Sequence, residues 1–364
     1  MQSKPYKISK NVETLSAYTP GEQPQGGGWV KLNTNEFPYP PSPKIRAAVL
    51  AEMGEDCAKL RLYPEPLSKS VRSAVARHYG VGEKNVIVGN GSDDILNLIM
   101  RAFGDENLKV AAMNPSYSLY PVLAKMQGAE LEEFDFEPQC RLPLEKIAKS
   151  GANVFILTNP NAPLGVAFGE PDLKYIADNF RGLFVVDEAY APFSGRTAAK
   201  FAAGRENVLT VCTSSKGWGL AGMRVGWAVA HESIIEILDR VRDSYNVDRL
   251  AQAAAVAALG DAEYYREFVA KVVEEREKAE EFFASLGWDF FKSSSNFIFV
   301  RPRKNGRQGR EVASELFDFL KSEKILVRYW KNDEKIWDGL RITVGTKSEM
   351  QKLKESVLKW ISKE

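Results

Sequence analysis

Between residues 85 and 230 the chain repeats one kind of unit: a short, β-branched, nearly continuous apolar run followed by a stretch with helical spacing. The runs are NVIV at 85–88, KVAAM at 109–113, NVFIL at 153–157, LFVV at 183–186, VLTV at 208–211 and VGWAVA at 225–230. A strand that is apolar on both sides needs cover on both sides, and the helical spacers supply it. The pattern predicts an α/β domain with a mostly parallel central sheet flanked by helices. Beyond about residue 250 long amphipathic segments take over, first EYYREFVAKVVEEREKAEEFFASLG with Gly287 as its stop. Three further strands, NFIFV, ILVRYW and LRITV, alternate there with helices near 311–323 and 348–362, in the last of which Met350, Leu353, Val357, Leu358 and Ile361 share a face. They predict a smaller C-terminal α/β domain. The first residues end in GEQPQGGG, a composition that forms flexible connections. The expected organisation is an arm over 1–30, a large domain over 31–250 and a small one over 251–364.

At 364 residues and 44% apolar composition there is material for two cores. The 49 basic and 48 acidic residues leave a net charge of +1, so no broad field attracts nucleic acid or an anionic membrane. An anion must then be bound locally. Cys57, Cys140 and Cys212 stand singly, which suits neither a disulfide framework nor zinc-ligand spacing. The opening MQSKPYKISKNV has no apolar leader core, and no apolar run approaches the roughly 18 residues of a membrane span. A cytoplasmic protein is expected. With only His78 and His231, histidine-centred triads and multi-histidine metal sites are disfavoured, and no metal is expected.

In open α/β sheets ligands collect at the carboxyl ends of strands. After VIV comes GNGSDD, with glycines for a tight turn, Ser92 as the expected N-cap, and a helix whose free amides face the loop. That is a phosphate cradle, although a plain capped helix fits this stretch equally well. Asp93 and Asp94 are expected to point outward in the first turn, where they favour the helix dipole. After LFVV comes DEAY, and Asp187, leaving a buried strand, demands a cation or strong donor. After VLTV, Thr213 and Ser215 bring hydroxyls, Lys216 an amine and Arg224 a planar fork suited to phosphate. Each alone has a structural explanation. Together they fit a cofactor with a phosphate, a basic ring nitrogen and an aldehyde, as in pyridoxal 5'-phosphate. A nucleotide-driven motor is the rival, since VVDEAY looks like the acidic end of a Walker B strand; no G-x-x-x-x-G-K-[ST] loop accompanies it. A purely binding protein on this scaffold is disfavoured because Lys216 and Asp187 are both present.

Nine segments in order carry a family resemblance: YTPGE at 18–22, LNTNEFPYPPSP at 32–43, LYPEP at 62–66, GNGSDD at 89–94, NPSYSLY at 114–120, NPNAPLG at 159–165, VVDEAY at 185–190, TSSKGWGLAGMRVGW at 213–227 and LRITVG at 340–345. The chain resembles the fold-type-I, pyridoxal-phosphate-dependent aminotransferases, and among them the histidinol-phosphate aminotransferases. The resemblance implies that Lys216 carries the cofactor and shuttles the substrate proton, that Asp187 holds the ring nitrogen protonated, and that Tyr190 bonds the ring's phenolic oxygen. It implies Tyr117 stacked on the ring, and the phosphate held by Gly91, Ser92, Asp93, Thr213, Ser215 and Arg224. Tyr63 would reach the neighbouring site of a homodimer, and Tyr18, Asn35, Arg328 and Arg341 would meet the substrates. The implied reaction passes an amino group between L-histidinol phosphate and 2-oxoglutarate in histidine biosynthesis. A broader aromatic aminotransferase, or a lyase resembling threonine-phosphate decarboxylase, is the alternative on the same fold. One segment departs from the family pattern: NPNAPLG has Ala162 where an asparagine donates to the ring oxygen and Leu164 where threonine is usual. Asn161 is then expected to lean toward the ring, or Tyr190 to serve alone.

Overall fold

The structure, a computed structural model, describes residues 6–16 and 21–363. Its larger sheet has seven strands in the order Val86–Gly89, Gly226–Ala230, Val208–Thr213, Leu183–Asp187, Val154–Thr158, Lys109–Asn114 and Glu130–Asp135. All neighbours are parallel except Gly226–Ala230, which runs antiparallel to both strands beside it. Successive side chains enter opposite cores, as strand geometry requires. Val154, Ile156 and Val185 join the layer of the Ser92–Phe103 helix; Phe155, Leu157, Phe184 and Val186 join that of Glu170–Asn179. The six apolar runs thus become six strands. The seventh, ELEEFD at 130–135, has no such run: at this edge Glu130, Glu133 and Asp135 face solvent, whereas Val86–Gly89 at the opposite edge is covered and buried throughout.

The second sheet orders Val30–Leu32, Ile325–Tyr329, Leu340–Thr343, Phe297–Arg301 and Asp289–Phe290. Helices Ala262–Ser285, Arg310–Ser322 and Lys347–Ser362 cover it with Val272, Phe283, Leu316, Leu353, Val357 and Trp360. Of the face expected on the last helix, Leu358 remains 49% exposed. The sheets redraw the expected boundaries at both ends. Val30–Leu32 pairs in parallel with Ile325–Tyr329, so the first strand joins the small lobe's sheet. Helix Arg249–Leu259, rich in alanine and able to pack closely, buries Ala251, Ala254 and Ala255 in one core with Val71 and Val75 of helix Lys69–Tyr79. The large lobe therefore extends past residue 250. Ala162, Tyr190 and Phe193 belong to the small lobe's core cluster, and at this seam the strand ends of the first sheet meet the second.

Candidate active site

The seam holds a cavity of ≈ 290 Å³ that contains Asp187, Tyr190, Lys216, Arg224, Arg328 and Arg341 in its wall. On the large-lobe side Lys216 follows the strand Val208–Thr213, and its Nζ donates to the Thr34 carbonyl at 2.9 Å. Burial, then the nearby Arg341, push its pKa down to about 8. Asp187 ends the strand Leu183–Asp187 and is only 3% exposed. Its Oδ2 accepts from Tyr120 Oη at 2.7 Å and its Oδ1 from the Ala189 amide at 3.1 Å. Burial still raises the carboxyl to about 6 against those two donors. A carboxylate this dry is placed for a cationic partner.

Tyr120 is the residue that motif reading missed. It lies within the NPSYSLY segment, but its contact with Asp187 spans 67 residues, and no local spacing announces it. Its hydroxyl also bonds Thr158 Oγ1 at 2.7 Å, which fixes the ring from a neighbouring strand. Tyr117 donates to Asp93 Oδ1 at 3.2 Å and packs edge-on to Tyr120 with centroids 5.6 Å apart. Tyr190 accepts from Asn35 Nδ2 at 2.9 Å, and its ring sits T-shaped to Phe297 at 5.0 Å.

The glycine turn forms the expected cradle with two corrections. The helix N-cap is Gly91, at φ 83°, and Ser92 is the first helical residue; no side chain caps this end, so its amides stay directed into the loop. A Cβ on Gly91 would come within 2.6 Å of Arg224 Nη2, and one on Gly226 within 2.4 Å of Gly91 C and Ser92 N. The close approach demands glycine at both positions. Asp93 does not point outward: it lines the cavity, with Oδ2 3.5 Å from Arg224 Nη2, because that cation and Tyr117 draw it in. Asp94 instead accepts from the Asn90 amide at 2.8 Å and Asn246 Nδ2 at 3.1 Å. Thr213 Oγ1 donates to Ser215 Oγ at 3.0 Å, and Arg224 Nη1 reaches the same oxygen at 3.4 Å. Two hydroxyls, a guanidinium and a helix start thus converge.

The small lobe supplies the opposite wall. Asn35 is buried, at φ 56°; its amide donates to Thr343 Oγ1 at 3.0 Å and its Oδ1 accepts from the same hydroxyl at 2.9 Å. With its bond to Tyr190, Asn35 ties the two lobes. Arg328 and Arg341 are direct register partners on adjacent antiparallel strands, and Arg341 Nη2 donates to the Asn33 carbonyl at 2.8 Å. Glu36, held by Lys31 and by Thr34 Oγ1 at 2.8 Å, and Trp330 also line the cavity, and neither was singled out by sequence.

Two expected residues lie elsewhere, and a third is not among the described residues. Asn161 does not lean into the cavity: its Nδ2 donates to the Pro115 carbonyl at 3.2 Å and its Oδ1 accepts from the Leu164 amide at 3.1 Å. One end of the side chain ties the loop to Pro115 and the other holds the Leu164 turn, and Ala162 and Pro163 line the cavity instead. Tyr63 is 77% exposed and stacked on Tyr245 at 4.5 Å, away from its own chain's cavity. Tyr18 lies outside the described residues.

A half-buried lysine of lowered pKa, a dry carboxylate and a cradle closed to side chains match the aldehyde, ring nitrogen and phosphate of pyridoxal phosphate. Fold and site define an α/β enzyme of amine–carbonyl chemistry with a phosphate-bearing cofactor. The family model of aminotransferase class I and II matches residues 27–357, and the chain belongs to that family, and within it to the histidinol-phosphate aminotransferases. It is 43% identical to the histidinol-phosphate aminotransferase of Geotalea uraniireducens over 351 residues, 96% of this chain and 98% of that one. It is 42% identical to that of Geobacter sulfurreducens over 342 residues, 94% and 95% of the two chains. The crystal structure of histidinol-phosphate aminotransferase from Sinorhizobium meliloti in complex with pyridoxal-5'-phosphate superposes with a TM-score of 0.83 at 25% identity, covering 91% of this chain and 90% of that one. Among the described residues no helix is long and apolar enough to cross a membrane.

Proposed function

We propose that the chain uses pyridoxal 5'-phosphate to pass the amino group of L-histidinol phosphate to 2-oxoglutarate, giving imidazole-acetol phosphate and glutamate, as a step of histidine biosynthesis. The observation that carries the reading is one cavity joining Lys216 and the glycine cradle to a paired Arg328 and Arg341. The bound cofactor supplies an electron sink for the charge that develops at the substrate's Cα. The rest falls to the chain's own residues. Lys216, with a pKa near 8, has an appreciable neutral fraction close to neutral pH, so its Nζ can take the Cα proton and return it. Asp187, oriented by Tyr120 and the Ala189 amide, holds a proton on the ring nitrogen. Tyr190 would hydrogen-bond the ring oxygen and Tyr117 would pack on the ring. The amides of Gly91, Ser92 and Asp93, with Thr213, Ser215 and Arg224, hold the phosphate. Arg328 and Arg341 bind the phosphate of one substrate and the carboxylates of the other by bidentate contacts, and Asn35 fixes the seam around them.

The same residues suit an aromatic aminotransferase or a decarboxylase of phosphorylated amino acids, and the names of the full-length relatives favour histidinol-phosphate transamination over both. The working form is a homodimer in which Tyr63 of one protomer reaches the cofactor phosphate of the other. Leu50, Leu60, Leu62, Tyr63, Leu67 and Tyr245 are exposed apolar side chains that such an interface would cover. The three free cysteines suit a reducing cytoplasm. The test is an absorbance spectrum of the holoenzyme with L-histidinol phosphate and no oxo acid. Loss of the visible cofactor band and its return on adding 2-oxoglutarate is the expected result. A visible band indifferent to this amine but responsive to phenylalanine or O-phosphothreonine would replace the substrate.

A further inference from the structure

Arg328 and Arg341 face each other directly across two antiparallel strands. Like charges in that register repel and destabilise the pair. Two long arginines also keep considerable rotamer freedom, so left to themselves they would turn apart. One aromatic ring meets both. The Cζ of Arg328 lies 5.1 Å from the centroid of Trp330, and the Cζ of Arg341 lies 5.2 Å from the same centroid. Both distances are within cation–π range. Trp330 stands two residues beyond Arg328, lines the cavity, and packs against the apolar cluster that includes Phe299 and Ile336. Its carbonyl accepts from the Asp333 amide at 3.2 Å, which anchors the following turn. Arg341 is further held by the ring of Phe297, 5.2 Å from its Cζ, and by the Asn33 carbonyl.

We infer that Trp330 is a specificity-determining positioning residue: its ring gathers the two guanidinium groups into one cationic clamp, which makes the cavity select amines that carry a second anionic group. A phosphate monoester or a second carboxylate offsets the two adjacent charges. An uncharged side chain leaves them facing each other, and binds less well for that reason. The selection is one of binding, because the ring touches the clamp and not the reacting atoms. A tryptophan that only filled space would affect every substrate alike.

The inference rests on the transaminase reading for its choice of substrate, and the experiment separates the two. Holoenzyme with Trp330→Met, which keeps apolar volume without a π face, is compared with Trp330→Phe, which keeps the face. KM and kcat are measured for L-histidinol phosphate, together with the inhibition constants of inorganic phosphate and succinate. Trp330→Met is expected to raise KM and both inhibition constants about tenfold, with kcat within about twofold, and Trp330→Phe to recover most of the loss. The proposal is overturned if Trp330→Met lowers kcat while leaving KM and the inhibition constants unchanged, if it changes none of them, or if both variants bind phosphate equally weakly. Should Trp330→Met fail to fold, Trp330→Phe against Trp330→Leu decides by the same ratios. If the wild-type protein ignores L-histidinol phosphate, the substrate reading fails, while the phosphate inhibition constants still decide the role of Trp330.

Discussion

The two walls of the cavity handle charge in opposite ways. On the large-lobe wall Asp187 and Lys216 sit where burial moves their pKa values toward neutrality, to about 6 and about 8. On the small-lobe wall the positive charges belong to Arg328 and Arg341, whose guanidinium groups stay protonated in any such environment. A proton must be held or moved on the first wall, so titratable groups in a dry setting are suited to it. The second wall need only present charge in a fixed geometry. Under the proposed function one seam would separate the chemistry of reaction from the chemistry of recognition, and substitutions on either side should divide accordingly.

The largest effect tests the reacting wall. Lys216→Ala removes the amine that moves the proton and should lower kcat by at least about 10³-fold for every substrate, measured as the rate of the half-reaction. Survival of even a few per cent of the activity would break the division. Asp187→Asn should cost about 10²- to 10³-fold in kcat with little change in KM, since the asparagine cannot stabilise a cation at the ring nitrogen. On the recognising wall, Arg341→Lys and Arg328→Lys keep the charge but lose the planar fork, so KM should rise about tenfold or more while kcat changes much less. A matching fall in kcat would merge the two walls into one function.

A subtler effect concerns the protein without cofactor. Folded Asp187 has a pKa of about 6 against an ordinary 3.8, so between those values the folded state binds more protons than the unfolded one. Its contribution to stability is therefore lost as pH rises from about 4 to about 6, and Glu188, raised to about 7 by burial, extends the loss. Lys216, lowered from 10.5 to about 8, binds fewer protons when folded, so stability recovers as pH rises from about 8 toward 10.5. Melting of cofactor-free protein should thus show a shallow minimum between about pH 7 and pH 8. Asp187→Asn should flatten its acid side, and a difference between the two proteins that does not vary from pH 4 to pH 7 would discard the account. Tyr120→Phe is the smallest perturbation. It removes one donor from the buried carboxylate and should shift that acid limb upward in pH without abolishing activity.

What was legible in the sequence is what lies on contiguous stretches. Six strands read as apolar runs because each is buried on both faces, and Asp187, Lys216, Arg224 and the glycine turn read as site residues because each directly follows or adjoins a strand end. The Glu130–Asp135 strand was invisible because half of its residues face solvent, unlike the buried edge strand Val86–Gly89. Tyr120 was not recognised because its partner Asp187 is 67 residues away, and Glu36 and Trp330 were not because contacts with Lys31 and Thr34, or with Arg328 and Arg341, follow no spacing that marks a cavity wall. Asn161 was expected to stand in for the asparagine that Ala162 replaces, but its side chain is used by the Pro115 carbonyl, 46 residues away in the chain, and by the Leu164 amide. The expected boundary between residues 30 and 31 falls inside Val30–Leu32, a strand whose pairing is settled by residues near 325.

That strand carries a consequence for how the protein comes into being. Val30–Leu32 leaves the ribosome long before its partner Ile325–Tyr329, whereas every strand of the larger sheet lies between residues 86 and 230. Synthesis is slow compared with local folding, so the larger sheet can assemble while the rest of the chain is still being made. The wall carrying Thr34, Asn35, Arg328 and Arg341 cannot close until residues 325–343 have emerged. A ribosome-bound nascent chain of 250 residues therefore already carries the glycine turn and Lys216, and still lacks the arginines that would let it choose a substrate.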